Sequence, residues 1–175
     1  MRRLLLLRHS KAERSQPGGG DKDRVLAERG RNDAHVLGAY LVRHGSIPDR
    51  AVVSTATRTR QTWALLAASF GSMPPVAFDD RLYEAAPLAI LQAVKETSSG
   101  AVTLMVVGHN PGMAELASML VASGDVETRE RLGRGFPTSA LATISFATES
   151  WAGVHAQGGR LEHFVTPKSL TEAAD

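Results

Sequence analysis

The chain has 175 residues, of which 43% are hydrophobic and 22% charged, and its formal net charge is +2. These values are typical of one globular domain, which we expect over residues 1–175, and they show neither a basic footprint for nucleic acid nor the roughly 18 apolar residues of a membrane span. Because the sequence contains no cysteine, disulfides, thiolate metal sites and cysteine nucleophiles are excluded.

The first residues, MRRLLLL, combine two arginines with a short run of leucines at 4–7. This run is shorter than the roughly 7–15 apolar residues of a signal peptide, so we expect a cytoplasmic location. It suits a buried strand instead, and the strand ends at Arg8 and His9. These two side chains either terminate the strand in solvent or lie where α/β sheets place their ligands, beyond the carboxyl ends of the strands.

The rest of the chain alternates between helical and strand patterns. The predicted elements are, in chain order, a loop at 15–23, a helix at 27–44, a strand at 50–55, a helix at 57–70, a strand at 76–79, a loop at 82–87, a helix at 88–97, a strand at 102–108, a helix at 110–123, and strands at 140–147 and 159–166. Asn110 is the expected N-cap of the helix at 110–123, with Pro111 at its first position. The alternation predicts an α/β fold, a three-layer α/β/α sandwich with a mostly parallel central sheet.

Three predicted strands end in polar side chains that can share one rim. Arg8 and His9 follow the first strand, Ser54 ends the second with Arg58 in the next helix, and His109 follows the strand at 102–108. Arg58 and Arg60 cannot both face the rim, because two helical positions differ by about 200° around the axis. The spacing by itself does not choose between them.

Two arginines and two histidines suit phosphoryl transfer, in which negative charge spreads over the phosphoryl oxygens. Arg8 and Arg58 would hold the phosphate, and neutral His9 would attack phosphorus, its pKa lowered by the neighbouring guanidinium groups. His109 would donate a hydrogen bond to the phosphate, unless it has a structural role.

A leaving group also needs a proton donor. Glu84, in the predicted loop at 82–87, is the candidate, although an exposed loop carboxylate without a role fits the sequence equally well. Weaker candidates for the same role are Glu13, Asp21, Asp23, Asp79 and Asp80.

The motifs LLLRHSKAE, STATRTRQT and VVGHNPG together resemble the histidine phosphatase superfamily, which includes the phosphoglycerate mutases, and especially its SixA-like phosphohistidine phosphatases. The resemblance implies a phosphoglycerate mutase-like fold, with His9 as the phosphorylated nucleophile and Arg8, Arg58 and His109 as the phosphate pocket. It favours Arg58 over Arg60. Glu84 falls where many members keep a glutamate acid, but SixA-like members vary there.

The sequence departs from the commonest family pattern at Ser10, where most members have glycine. Lys11 and Ser15 stand where mutase-like members place further substrate contacts, which argues against a sugar-phosphate mutase. The chain also has no long insertion between its core elements, which implies an open site suited to a phosphate on another protein's side chain.

The predicted function is a metal-independent phosphatase that hydrolyses a phosphomonoester or a protein phosphohistidine through a phosphohistidine on His9. The expected partners are therefore a phosphorylated protein or a small phosphomonoester, with no nucleic acid, membrane, metal or cofactor, and the oligomeric state is not predicted. Two alternatives stay open: a non-catalytic phosphate-binding or interaction module, and a metal-dependent hydrolase using His9, His109 and a carboxylate.

Overall fold

The computed structural model describes residues 1–174. The predicted single domain over residues 1–175 includes Asp175, which lies outside the described residues. The strands and helices are, in chain order, β1 Arg2–Arg8, α1 Glu28–Arg43, β2 Arg50–Ser54, α2 Thr57–Ala67, β3 Val76–Asp79, α3 Pro87–Lys95, β4 Thr103–Gly108, α4 Gly112–Leu120, β5 Val121–Gly124, α5 Val126–Arg134, β6 Leu141–Phe146, β7 Gly159–Val165 and α6 Pro167–Ala174. No helix within residues 1–174 is long and apolar enough to cross a membrane.

The seven strands form one sheet in the order β3-β2-β4-β1-β6-β7-β5. Strands β1 to β4 run parallel to one another, and β5 runs parallel to β7. Strand β6 runs antiparallel to both of its neighbours, β1 and β7. The prediction of a mostly parallel sheet is therefore confirmed.

Helices cover both faces of the sheet, and the leucines of β1 contribute to both cores. Leu4 and Leu6 belong to the core that α3, α4 and α5 cover, whereas Leu5 and Leu7 belong to the core under α1, α2 and α6. All four leucines are fully buried, because alternate side chains of a central strand point to opposite faces. The three-layer α/β/α architecture is confirmed.

The predicted helix at 110–123 is wrong at both ends. Helix α4 begins at Gly112 with Pro111 as its N-cap. Asn110 lies one residue earlier: its amide nitrogen donates to the Phe136 carbonyl at 2.7 Å, and its amide oxygen accepts from the Ala114 N–H in the first turn of α4 at 3.3 Å. The helix ends at Leu120 because residues 121–124 form the edge strand β5 against β7. This pairing is a tertiary contact that helical spacing does not reveal.

Helices α5 and α6 were also absent from the predicted elements. Helix α5 is strongly polar and buries a single residue, Leu132, so it offers few apolar positions from which helical spacing can be recognised. The local start signal is present nonetheless, because the Asp125 carboxylate caps the helix by accepting the Thr128 N–H at 2.9 Å.

Candidate functional site

The order of the strands brings the predicted rim together. Strand β4 lies between β1 and β2, so the carboxyl ends that carry His9, Ser54 and His109 are neighbours. The His9 backbone N–H donates to the Gly108 carbonyl at 3.1 Å, which extends the β1–β4 pairing to the residue after the strand. The ring centroids of His9 and His109 are 5.4 Å apart.

His9 is buried and has a defined tautomer. Its Nδ1 lies 2.8 Å from the Ser10 carbonyl, which can only accept, so Nδ1 carries the proton and Nε2 keeps the lone pair. Burial is the main cause that lowers the pKa of His9 to about 3, and His109, Arg58 and Arg8 lower it further. The ring is therefore neutral at physiological pH, as a nucleophile requires.

The backbone that carries His9 is fixed by Ser10. The Ser10 N–H donates to Thr62 Oγ1 at 3.0 Å, and that hydroxyl donates in turn to the Arg58 carbonyl at 2.7 Å. The Ser10 hydroxyl accepts from Ser139 Oγ at 2.6 Å. Ser10 is thus fully buried with its hydroxyl satisfied, and the contact with Ser139 was not foreseen.

His109 faces the same pocket with one nitrogen bonded and one free. Its Nε2 is 2.7 Å from Ser54 Oγ, whereas its Nδ1 is buried and has no hydrogen-bond partner within the described residues. Burial, followed by the charge of Arg58, lowers the pKa of His109 to about 4. A buried ring nitrogen without a partner suits a hydrogen bond to a ligand oxygen.

The two arginines supply the positive charge. Arg58 is buried in the pocket, while Arg60 points outward, bonds the Thr55 carbonyl at 3.0 Å and stacks on Phe78 with its guanidinium carbon 4.1 Å from the ring centre. Arg8 is half-buried, and burial and the charge of Arg58 both lower its pKa. Within the described part of the chain, the Nε atoms of Arg8 and Arg58 are both buried without a hydrogen-bond partner.

Sequence reasoning did not foresee the partners of Arg58, which are Asp21 and, through it, Tyr83. Arg58 donates to the Asp21 carbonyl at 2.8 Å and to its carboxylate at 3.1 Å, and the Tyr83 hydroxyl donates to the same carboxylate oxygen at 2.5 Å. These bonds, that of Tyr83 first, lower the pKa of Asp21 to about 2. Asp21 is therefore ionised at neutral pH and is already bonded to Arg58 and Tyr83. The one sequence feature that could have pointed to Tyr83 is its position next to the candidate acid Glu84.

Glu84 lies close to the pocket. It is exposed, has a left-handed backbone with φ of 54°, and lines a cavity of about 370 Å³ together with His109 and Asn110. Strained backbone of this kind is concentrated at functional sites.

The weaker carboxylate candidates are occupied elsewhere or exposed. Asp79 bonds Arg81, and Asp80 bonds Thr55 and Lys22. Glu13 and Asp23 are exposed. Within residues 1–174, no group of three histidine, aspartate or glutamate side chains is arranged to hold a metal ion.

The residues present can therefore bind an oxyanion and attack it. Arg8, Arg58 and the Nδ1 edge of His109 surround a neutral imidazole whose lone pair is free. A phosphoryl group has the negative charge and the electrophilic centre that such a pocket fits.

Comparison with known proteins points to one family. The model of the histidine phosphatase superfamily (branch 1) matches residues 4–90. An uncharacterized protein of Mycobacterium tuberculosis is 35% identical over 165 residues, which cover 93% of this chain and 100% of the relative.

Two solved structures are similar over nearly their whole length. The proposed phosphohistidine phosphatase SixA from Nakamurella multipartitia has a TM-score of 0.83 and 31% identity, covering 95% of this chain and 96% of its own. Its counterpart from Agrobacterium tumefaciens has a TM-score of 0.80 and 30% identity, covering 95% and 98%.

Proposed function

Because the chain belongs to the histidine phosphatase superfamily and to its SixA-like branch, we propose that it is a metal-independent phosphatase acting through a phosphohistidine on His9. Its substrate is a phosphomonoester or a protein phosphohistidine. One observation carries the proposal: the Nδ1–H of His9 is committed to the Ser10 carbonyl, so the lone pair of Nε2 lies among the pocket cations.

In the first step, the lone pair of His9 Nε2 forms a bond to phosphorus while the bond from phosphorus to the leaving oxygen breaks. The electron pair goes to that oxygen, which takes a proton from Glu84, the proposed acid. Arg8, Arg58 and His109 hold the phosphoryl oxygens throughout. These fixed donors stabilise the charge that develops on them in the transition state.

In the second step, water attacks phosphorus and gives a proton to the Glu84 carboxylate, and the bond to Nε2 breaks with its electrons returning to the ring. The Ser10 carbonyl accepts from Nδ1–H and so keeps the phosphorylated ring protonated at Nδ1. A ring phosphorylated at Nε2 and protonated at Nδ1 is cationic, and it is a better leaving group than a neutral ring. The hydrogen bond from Nδ1–H to the Ser10 carbonyl therefore assists both the attack on phosphorus and the hydrolysis of the intermediate.

Protein phosphohistidine is the substrate that the site favours. Its nitrogen leaving group can depart already protonated, so the reaction depends less on an acid. This suits a site whose candidate acid, Glu84, is an exposed loop residue. The two SixA structures described above are of proteins proposed to act on phosphohistidine, which supports the same choice. A cytoplasmic location remains part of this proposal.

The test is to trap the intermediate. Incubation with a ³²P-labelled aryl phosphate in the presence of a chelator, followed by an alkaline quench that preserves phosphohistidine, should leave label on the peptide that contains His9. His9→Ala should lose the label and at least about 10³-fold in kcat. His35→Ala, at an exposed position of α1, is the matched control and should retain both.

Full turnover in His9→Ala would contradict the proposal. Turnover that chelation abolishes and zinc or manganese restores would favour the metal-dependent alternative. Vanadate binding without turnover of any phosphoester or phosphohistidine would favour the non-catalytic module.

A further inference from the structure

A second cavity, of about 700 Å³, adjoins the pocket around His9 on the side of Arg8. Its lining includes Arg8 and Asn110, Arg131 and Arg134 of α5, and Lys168 of α6. We call this feature the basic cavity. The catalytic chemistry proposed above uses only Arg8 among these side chains.

The basic cavity has an excess of positive charge. Its lining contains four cations, Arg8, Arg131, Arg134 and Lys168, and one carboxylate, Glu172. Arg131 is held in place, since it donates to the Phe164 carbonyl at 2.9 Å and its guanidinium carbon lies 5.8 Å from the Phe164 ring centre. A fixed guanidinium at the wall is suited to an anionic ligand.

Arg134 and Lys168 are only weakly paired. The Arg134 side chain is 74% exposed and lies 3.9 Å from the Glu130 carboxylate. The Lys168 side chain is 85% exposed and lies 4.0 Å from the Glu172 carboxylate. Such long, exposed pairs contribute little stability to the fold. Both cations can therefore turn toward a ligand at small cost.

The basic cavity shares lining residues with the catalytic pocket. Arg8 Nη1 donates to the Phe136 carbonyl at 3.2 Å, and the Asn110 amide donates to the same carbonyl at 2.7 Å. Asn110 also lines the smaller cavity that contains His109 and Glu84. A substrate whose phosphoryl group lies at His9 can therefore extend past Arg8 into the basic cavity.

We propose that the basic cavity binds an acidic segment of a phosphorylated protein, next to the residue whose phosphoryl group enters the pocket. This inference rests on the proposed function and names the partner by its charge. Two exposed cations at an open rim fit a chain carrying several carboxylates better than a compact small molecule. A nucleic acid would need aromatic faces for base stacking, but Phe136 and Phe164 are buried in the cavity floor.

The test uses binding, so that it does not depend on turnover. Fluorescent peptides carrying a non-hydrolysable phosphonate analogue of phosphohistidine, flanked either by aspartate and glutamate or by asparagine and glutamine, are titrated with the full chain and followed by anisotropy. The acidic peptide should bind about tenfold more tightly than the neutral one, and the preference should shrink as salt is raised.

The double variant Arg134→Gln/Lys168→Gln should reduce this preference to within about twofold. The control double variant Arg129→Gln/Arg160→Gln removes the same charge from exposed positions outside the cavity lining and should keep the preference. Comparing the two double variants separates binding in the basic cavity from attraction by the net charge of the protein.

Three results would overturn the inference: equal binding of the two peptides by the unchanged chain, an unchanged preference in Arg134→Gln/Lys168→Gln, or an equal loss in the control. Tighter competition by a single-stranded oligonucleotide, or by a small molecule with two anionic groups, would assign the basic cavity to that ligand instead. Failure of the proposed function would instead appear as full turnover by His9→Ala. Failure of this inference and failure of the proposed function can therefore be distinguished.

Discussion

At the scale of single residues, the two carboxylates near the pocket differ in their surroundings. Asp21 is held ionised by Tyr83, Arg24 and Arg58, whereas Glu84 is an exposed residue on a strained loop. Glu84 lines the cavity that contains His109 and remains the proposed acid, whereas Asp21 is bonded to Arg58 and positions it.

Glu84→Gln should lower kcat for an alkyl phosphomonoester by about 10²-fold, since its poor leaving group needs a proton and general acid catalysis contributes at least this much. For a phosphohistidine peptide the loss should stay within about tenfold, because that leaving group can depart already protonated. Steady-state kinetics with both substrates measure the difference. Glu115→Gln, at another carboxylate that lines the same cavity, is the control and should change neither rate. Equal losses on both substrates would contradict the assignment.

At the scale of elements, helix α1 supports the segment that carries His9. The Ala27 N–H donates to the Lys11 carbonyl at 2.9 Å, and a Cβ added to Gly30 would lie 2.0 Å from that carbonyl oxygen. Two backbones approach so closely here that only glycine fits. The start of α1 therefore presses directly on the loop that follows β1.

Gly30→Ala should lower the free energy of unfolding by about 1–3 kcal/mol through overpacking. It should also lower kcat, because the displaced loop moves His9. Urea unfolding and aryl phosphate kinetics test the two effects together. Gly133→Ala in α5, where an added Cβ meets nothing within 4 Å, is the control and should be neutral or stabilise by up to about 1 kcal/mol. Wild-type activity and stability in Gly30→Ala would refute the close contact.

At the scale of the whole molecule, folding removes two histidines from water and suppresses their protonation. The pKa of His9 falls to about 3 and that of His109 to about 4, against about 6.5 in an unfolded chain. Between these values the unfolded chain binds more protons than the folded chain. The free energy of unfolding should therefore rise with pH from about pH 4 to about pH 6.5.

Urea unfolding at pH 5, 6 and 7 measures this slope. His109→Gln should reduce it by up to about 1.4 kcal/mol per pH unit, the contribution of one group. The ionised Asp21 acts in the same direction only below about pH 4, so its titration lies outside the range above pH 5. Equal stability at pH 5 and pH 7 would show that folding leaves the pKa values of both rings unshifted.

The sequence by itself determined the α/β class, the layers, the family and the strand ends that carry Arg8, His9, Ser54 and His109. The three motifs predicted the family, and the family model and the SixA structures confirm it. The physical reason is that hydrophobic periodicity and strand ends are local, and parallel strands bring their carboxyl ends to one edge of the sheet.

Only the tertiary structure decided which groups surround these residues. Spacing could not separate Arg58 from Arg60, because the choice depends on packing against Asp21, which lies 37 residues away in the sequence. Strand β5 pairs with a distant strand, and the basic cavity combines residues from β1, α5 and α6. Contacts of this kind leave no periodic signal in one sequence, since they depend on which segments the folded chain brings together.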